Sequence, residues 1–243
     1  MPQDELTSRT ARRAAQRALL TNGEIDIEGR MPWSSNATFL VNITCGDDVA
    51  QGIYKPLRGE RPLWDFEPGL HRRELAAYKL SEAMGLDLVP PTIIRDGPLG
   101  EGSVQWFVDA DHQQHYFTIH ESREDLHDAL RAVAAFDLVA NNTDRKSGHV
   151  LIDGEDHIWS IDHGLCFASE FKLRTVVWEF GGEVIPAALV DVIAPIAVAV
   201  PLEIAALLAD DEVAAVQERA AWVVEHPRFP VDSSGRRYPW PLV

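Results

Sequence analysis

Two short apolar runs, Val150-Leu151-Ile152 and Ile158-Trp159-Ser160-Ile161, stand either side of a polar turn. A polar loop precedes the first, Asn141-Asn142-Thr143-Asp144-Arg145-Lys146-Ser147-Gly148-His149, and an acidic loop, Asp162-His163-Gly164, follows the second. Runs of this length bounded by turn formers are the strands of a hairpin. Asp144 and Asp162 both sit where the chain leaves an element, so both can point into a cleft.

The rest of the chain surrounds this cassette with alternating patterns. Residues 4–21 have helical spacing, with Leu6, Ala14, Ala15, Ala18 and Leu19 on one side, and Asn22-Gly23 ends the helix. Strand signals follow at Ile25 and Ile27, at Phe39 to Thr44 and at Val49 to Tyr54. Pro68 to Met84 is an amphipathic helix opened by Pro68 and stopped by Gly85. Thr92 to Arg95 and Ser103 to Val108 are strands, and 125–140 is a helix. Residues 186–225 predict two helices broken near Pro195 and Pro201, and the proline-rich 226–243 predicts an extended surface tail. The histidines at 112, 115 and 120 alternate with polar residues and are expected in a solvated loop. This order predicts an α+β protein with an N-terminal helix (1–22), a β-rich N-lobe (23–108), a mainly helical C-lobe (109–225) and the tail.

The residue types suit phosphoryl transfer. One acid there handles the acceptor hydroxyl, a residue five positions later holds a metal, and an acid after the next strand holds metal on the phosphates. Those positions are Asp144, His149 and Asp162. Mg²⁺ takes one or two carboxylates plus phosphate oxygens, which fits Asp162 as metal ligand, and Asp144 fits a general base or hydroxyl-orienting group. Lys55 ends a strand and can reach phosphates if a carboxylate holds it, and Glu74 is the candidate. Ser34, Ser35 and Asn36 offer hydroxyl, amide and N–H donors to phosphate. Each feature has a plainer reading: a capped turn, a strand end, two surface charges, a Ser/Asn turn. Asp144, His149, Asp162 and His163 also admit a transition-metal site.

On Asn142-Thr143-Asp144-Arg145 and Ile161-Asp162-His163-Gly164-Leu165-Cys166-Phe167 the chain resembles the phosphatidylinositol 3-/4-kinase superfamily. The resemblance is to its small bacterial type II phosphatidylinositol-4-kinase-like members, and among them an actinobacterial group, and it runs from about Gly23 to Phe167. It implies a bilobal protein-kinase-like fold with ATP between the lobes. Ser35 and Asn36 would cover phosphates, Lys55 would bind them and Glu74 would hold Lys55. The adenine would lie near Gln105, Trp106, Phe107 and Val108, with Leu151 and Ile161 also at the nucleotide. Asp162 and His149 would meet Mg²⁺ or Mn²⁺, and Asp144 would face the acceptor. The family loop carries Asn where this chain has His149. Imidazole is a poorer Mg²⁺ ligand than an amide oxygen. One metal instead of two, a preference for Mn²⁺, and weakened or lost transfer are the three consequences.

Composition sets outer bounds. A net charge of −16 disfavours a general nucleic-acid binder, which needs a basic surface. No apolar run approaches the roughly 20 residues that span a bilayer, and the N-terminus lacks an apolar signal core. A cytoplasmic protein without integral membrane association is the expectation. Cys45 and Cys166 are expected to pack as small hydrophobes. The functional expectation is an ATP-dependent kinase acting on a hydroxyl of a protein or small molecule. A nucleotide-binding pseudokinase and a His/Asp metal-dependent hydrolase are the alternatives.

Overall fold

The computed structural model describes residues 3–32, 34 and 36–242, with side chains from residue 9 onward. The chain divides into two compact units: residues 1–75 with 90–107, and residues 76–89 with 108–243.

In the first unit, helix α1 (Gln3–Asn22) leads into strands β1 (Glu24–Arg30), β2 (Phe39–Cys45) and β3 (Asp48–Pro56). Helix α2 (Leu70–Ala83) starts in this unit, and β4 (Thr92–Gly97) and β5 (Gly100–Trp106) complete it. The strands form one antiparallel sheet in the order β1-β2-β3-β5-β4. Alternation decides its faces: Val41, Ile43, Tyr54 and Val104 are fully buried, together with Leu20 of α1. Tyr54 faces this core, so Lys55, next in β3, points to the opposite face. Arg95 closes the end of α1 by donating from one nitrogen to the carbonyls of Leu20, Thr21 and Gly23 at 2.8–2.9 Å.

α2 begins at Leu70, not at the expected Pro68. Gly69 has φ +113°, outside helical space. The first turn is instead capped by Glu60, whose carboxylate accepts from the N–H groups of Gly69 at 2.8 Å and His71 at 3.0 Å. Burial pushes the Glu60 carboxyl up, but the hydrogen bonds from His71 and these amides outweigh it and hold the pKa below the usual range. β5 ends at Trp106, two residues short of the expected Val108, and the two units divide between Phe107 and Val108.

The second unit holds α3 (Tyr116–Ser122), α4 (His127–Ala140), the hairpin β6 (Val150–Ile152) and β7 (Ile158–Ser160), α5 (Ala187–Val198), α6 (Leu202–Ala205) and α7 (Asp210–Glu225). α5 packs on α7, and α7 on α4. α4 buries Leu130, Val133, Phe136, Leu138 and Val139. Asn141 ends it in left-handed backbone with φ 52°.

Three expectations fail in this unit, and one more, for Cys45, in the first. Helix α3 was not expected: Tyr116 and Ile119 are buried, and Thr118 accepts from the His115 N–H at its start. His120 is not solvated but stacks on His127 with ring centroids 4.4 Å apart. Pro195 does not break α5. It lies on the solvent side, so water can satisfy the carbonyl left without a donor, and the break falls at Pro201. Cys45 is exposed at the end of β2, whereas Cys166 is buried as expected. Residues 227–242 carry neither helix nor strand.

Candidate active site

Lys55 and Glu74 meet. Lys55 Nζ lies 2.5 Å from Glu74 Oε1, with the Lys55 side chain 22% exposed and Glu74 4% exposed. β3 aims Lys55 away from the sheet core and the first turns of α2 carry Glu74. Nearby, His71 stands between Glu60 and Glu101, 3.2 Å from each. Gly102 is opposite Pro56 in the ladder, and a Cβ there would come within 2.5 Å of the Lys55 carbonyl, so the backbone under Lys55 admits only glycine as its neighbour.

Ser35 lies outside the described residues. Asn36 Oδ1 accepts from the Arg61 N–H at 2.9 Å, and Ser34 is hydrogen-bonded to Thr38 at 2.8 Å, so both side chains brace their own loop. Gln105 is buried and donates to Thr92 Oγ1 at 3.0 Å. The N–H groups of Trp106 and Phe107 are taken by the carbonyls of Pro91 and Gln51.

In the second unit the loop after α4 and the loop after β7 form one bonded structure. Arg145 is fully buried. Its Nε and Nη2 donate to Asp137 at 2.8 Å each, and its Nη1 donates to the carbonyls of Ile161 at 2.7 Å and His149 at 3.3 Å. One guanidinium therefore fixes the backbone beside both Asp162 and His149. Ile161 N–H donates in turn to the His149 carbonyl at 3.0 Å. His163 is buried, 2.9 Å from Arg145 Nη2 and 3.0 Å from Ser160 Oγ, with its ring edge on Phe136. This removes His163 from the expected transition-metal set. Among the described residues no group of three or more His, Cys, Asp or Glu side chains is arranged to hold a metal.

Asp144 and Asp162 stand apart from that scaffold. Asp144 is held at its backbone by Asn142, whose Oδ1 accepts its N–H at 3.0 Å. Its carboxylate lies 3.0 Å from Lys146 Nζ. Burial pushes the Asp144 carboxyl above the usual carboxylate range, and the charge of Asp162 adds to this against the opposing pull of Lys146 and Arg145. Asp162 adopts φ 60°, a left-handed conformation that costs a non-glycine residue roughly 1–3 kcal/mol and concentrates at functional sites. Its side chain is 49% exposed, and His149 Nε2 lies 3.4 Å from its Oδ2. Leu151 is buried in β6 and Ile161 is half-buried.

Lys146 and Asp137 went unnoticed as site residues in the sequence. The signals were present: a cation two positions after Asp144, and an acid on the apolar face of α4.

No family model matches the chain. It is 37% identical over 263 residues to Protein Rv2133c of Mycobacterium tuberculosis, covering 93% of this chain and 95% of that protein. The chain belongs to the family of Rv2133c. The crystal structure of a Helicobacter pylori proinflammatory kinase, CtkA, matches with a TM-score of 0.50 at 11% identity, over 86% of this chain and 94% of that one. This chain thus has a kinase-like α+β fold, with a sheet-rich and a helical unit. No helix among the described residues is long and apolar enough to cross a membrane.

Proposed function

We propose that this chain is an ATP-dependent phosphotransferase of the phosphatidylinositol 3-/4-kinase-like superfamily, working in the cytoplasm on a hydroxyl of a protein or small molecule. The observation that carries the reading is the Lys55–Glu74 pair. The two residues are 19 apart, on different elements, and nothing local requires them to meet. A lysine held at a strand end by a nearly buried carboxylate is how kinase folds position nucleotide phosphates.

The remaining roles follow from the loops. Asp144, with its raised pKa, orients the acceptor hydroxyl and receives its proton. The hydroxyl oxygen forms the new bond to the γ-phosphorus while the bridging oxygen leaves with ADP. Lys146, within 3.0 Å of Asp144, is a second cation for the transferring group. The half-exposed Asp162 carboxylate and His149 are the residues to hold Mg²⁺ or Mn²⁺, and such an ion would relieve the repulsion between Asp162 and Asp144. When bound, such an ion would neutralise charge on the phosphates. Phe107, Val108, Leu151 and Ile161 are assigned to the adenine, and Ser35 and Asn36 to the phosphate-covering loop.

A second reading, a nucleotide-binding pseudokinase, is favoured by His149 at the position of the expected Asn. Transfer from γ-labelled ATP to a protein lysate, with Mn²⁺ or Mg²⁺, tests the first reading, and thermal stabilisation by ATP and metal tests both. Stabilisation without transfer would select the pseudokinase. Absence of both, in protein that is folded, would sink each.

A further inference from the structure

The tail has no regular structure, yet it is held at defined backbone positions. The Leu242 carbonyl accepts from the Ser147 N–H at 2.8 Å. The Arg237 carbonyl accepts from the Thr175 N–H and from Trp178 Nε1, both at 3.1 Å. Ser147 is three residues beyond Asp144. Thr175 is bridged to Arg145 in parallel, with Arg145 donating to the Arg174 carbonyl at 3.0 Å and Val176 donating to the Arg145 carbonyl at 3.1 Å. The tail therefore runs along the loop that carries Asp144, bonded to Thr175 at Arg237 and to Ser147 at Leu242.

Two features bear on what this surface could hold. The tail bonds through the carbonyls of Arg237 and Leu242, and Trp240 (87%) and Tyr238 (42%) are exposed while Pro239 is buried. Main-chain pairing of this kind accepts many sequences. Beneath the tail, the Ser147 hydroxyl is buried and has no hydrogen-bond partner among the described residues. A buried hydroxyl without a partner is unfavourable, and water could reach it if the tail left. Upstream, Asp232 accepts from Ser234 and from the Arg237 N–H, forming a turn that leads into residues 237–242.

We propose that the N–H groups of Ser147 and Thr175 form a track for an extended polypeptide beside Asp144, and that residues 237–242 fill it in cis. The acceptor is then a hydroxyl of a protein segment, admitted when the tail is displaced. This rests on the phosphotransferase reading. The transfer step is the one already written, with the segment's hydroxyl oxygen bonding to the γ-phosphorus, ADP leaving and Asp144 taking the proton.

The test uses protein ending at Arg236 and a fluorescein-labelled peptide of the sequence 232–242. The peptide should bind the shortened protein at least tenfold more tightly than the full chain, without nucleotide. Labelling of dephosphorylated casein from γ-labelled ATP should rise at least threefold, labelling of free serine should not, and unlabelled peptide should reverse the gain. A shortened protein with an unchanged melting curve that neither binds peptide nor gains casein activity overturns the proposal. If the shortened protein does not fold, the full chain carrying Asp232→Ala and Arg237→Ala is used instead. Its Ser147 and Thr175 amides should exchange hydrogen at least tenfold faster, and slow again with casein; unchanged exchange overturns the track. Peptide binding without any transfer from ATP would retire the phosphotransferase and keep the track. Transfer to free serine, with no peptide binding and no gain on casein, would do the reverse.

Discussion

Arg145 and Asp137 are joined by two parallel hydrogen bonds of 2.8 Å, and their side chains are 0% and 1% exposed. Removing one partner strands a buried charge, at a cost of about 3–5 kcal/mol. Arg145→Ala should lose that much in urea denaturation. Arg145→Lys should also lose most of it, because an ammonium cannot reproduce the planar fork. Replacing both residues with apolar ones of similar size should cost less than either single change.

Glu74 depends on Lys55 in the same sense. Lys55→Ala leaves a nearly buried carboxylate without this partner and should lower stability by about 1–3 kcal/mol. It should also abolish the thermal shift with ATP. Glu74→Gln preserves the packing, so it should weaken ATP binding with a smaller stability loss. Equal ATP binding by Lys55→Ala and the unsubstituted protein would remove Lys55 from the nucleotide site.

Asp144 should trade stability for activity. Its folded pKa is raised, chiefly by burial, so its favourable contribution to folding is complete only below the unfolded carboxylate pKa and is lost as pH rises through the folded one. At neutral pH the ionised carboxylate therefore weighs against folding. Asp144→Asn should raise the melting temperature at pH 7, and the gain should shrink as pH falls through the carboxylate range. Transfer should fall by at least a hundredfold across that same series.

His149 sets the metal preference. With imidazole at this position, transfer or ATP binding should be stronger with Mn²⁺ than with Mg²⁺. His149→Asn supplies a hard oxygen and should move the preference towards Mg²⁺ by about tenfold. Asp162→Asn should weaken the response to both ions, and an intact response would remove Asp162 as ligand.

Gly102 tests the backbone beneath Lys55. A methyl there meets the Lys55 carbonyl at 2.5 Å and Pro56 Cα at 2.7 Å, both rigid backbone. Gly102→Ala should cost about 1–3 kcal/mol and reduce the ATP-induced thermal shift beyond what that loss explains.

Local pattern determined the strands, most helices and the hairpin, because side-chain periods of two and 3.6 are properties of the chain itself. β3 with Lys55 at its far end, and the loop–hairpin–loop from Asp144 to Asp162, were legible for that reason. Helix α3 was not, since its polar and aromatic residues are ordered by packing, with Tyr116 donating to Glu179 at 2.5 Å. Pro195 misled because its effect depends on whether the freed carbonyl meets water. The tertiary structure alone decided that Glu74 reaches Lys55, that Arg145 turns inward to Asp137 while Asp144 beside it keeps part of its carboxylate at the surface, that His163 joins Arg145, and that the tail lies on Ser147. These are contacts between residues remote in sequence or choices of side-chain direction. Their energies depend on which groups lose water together, and only the folded chain specifies that.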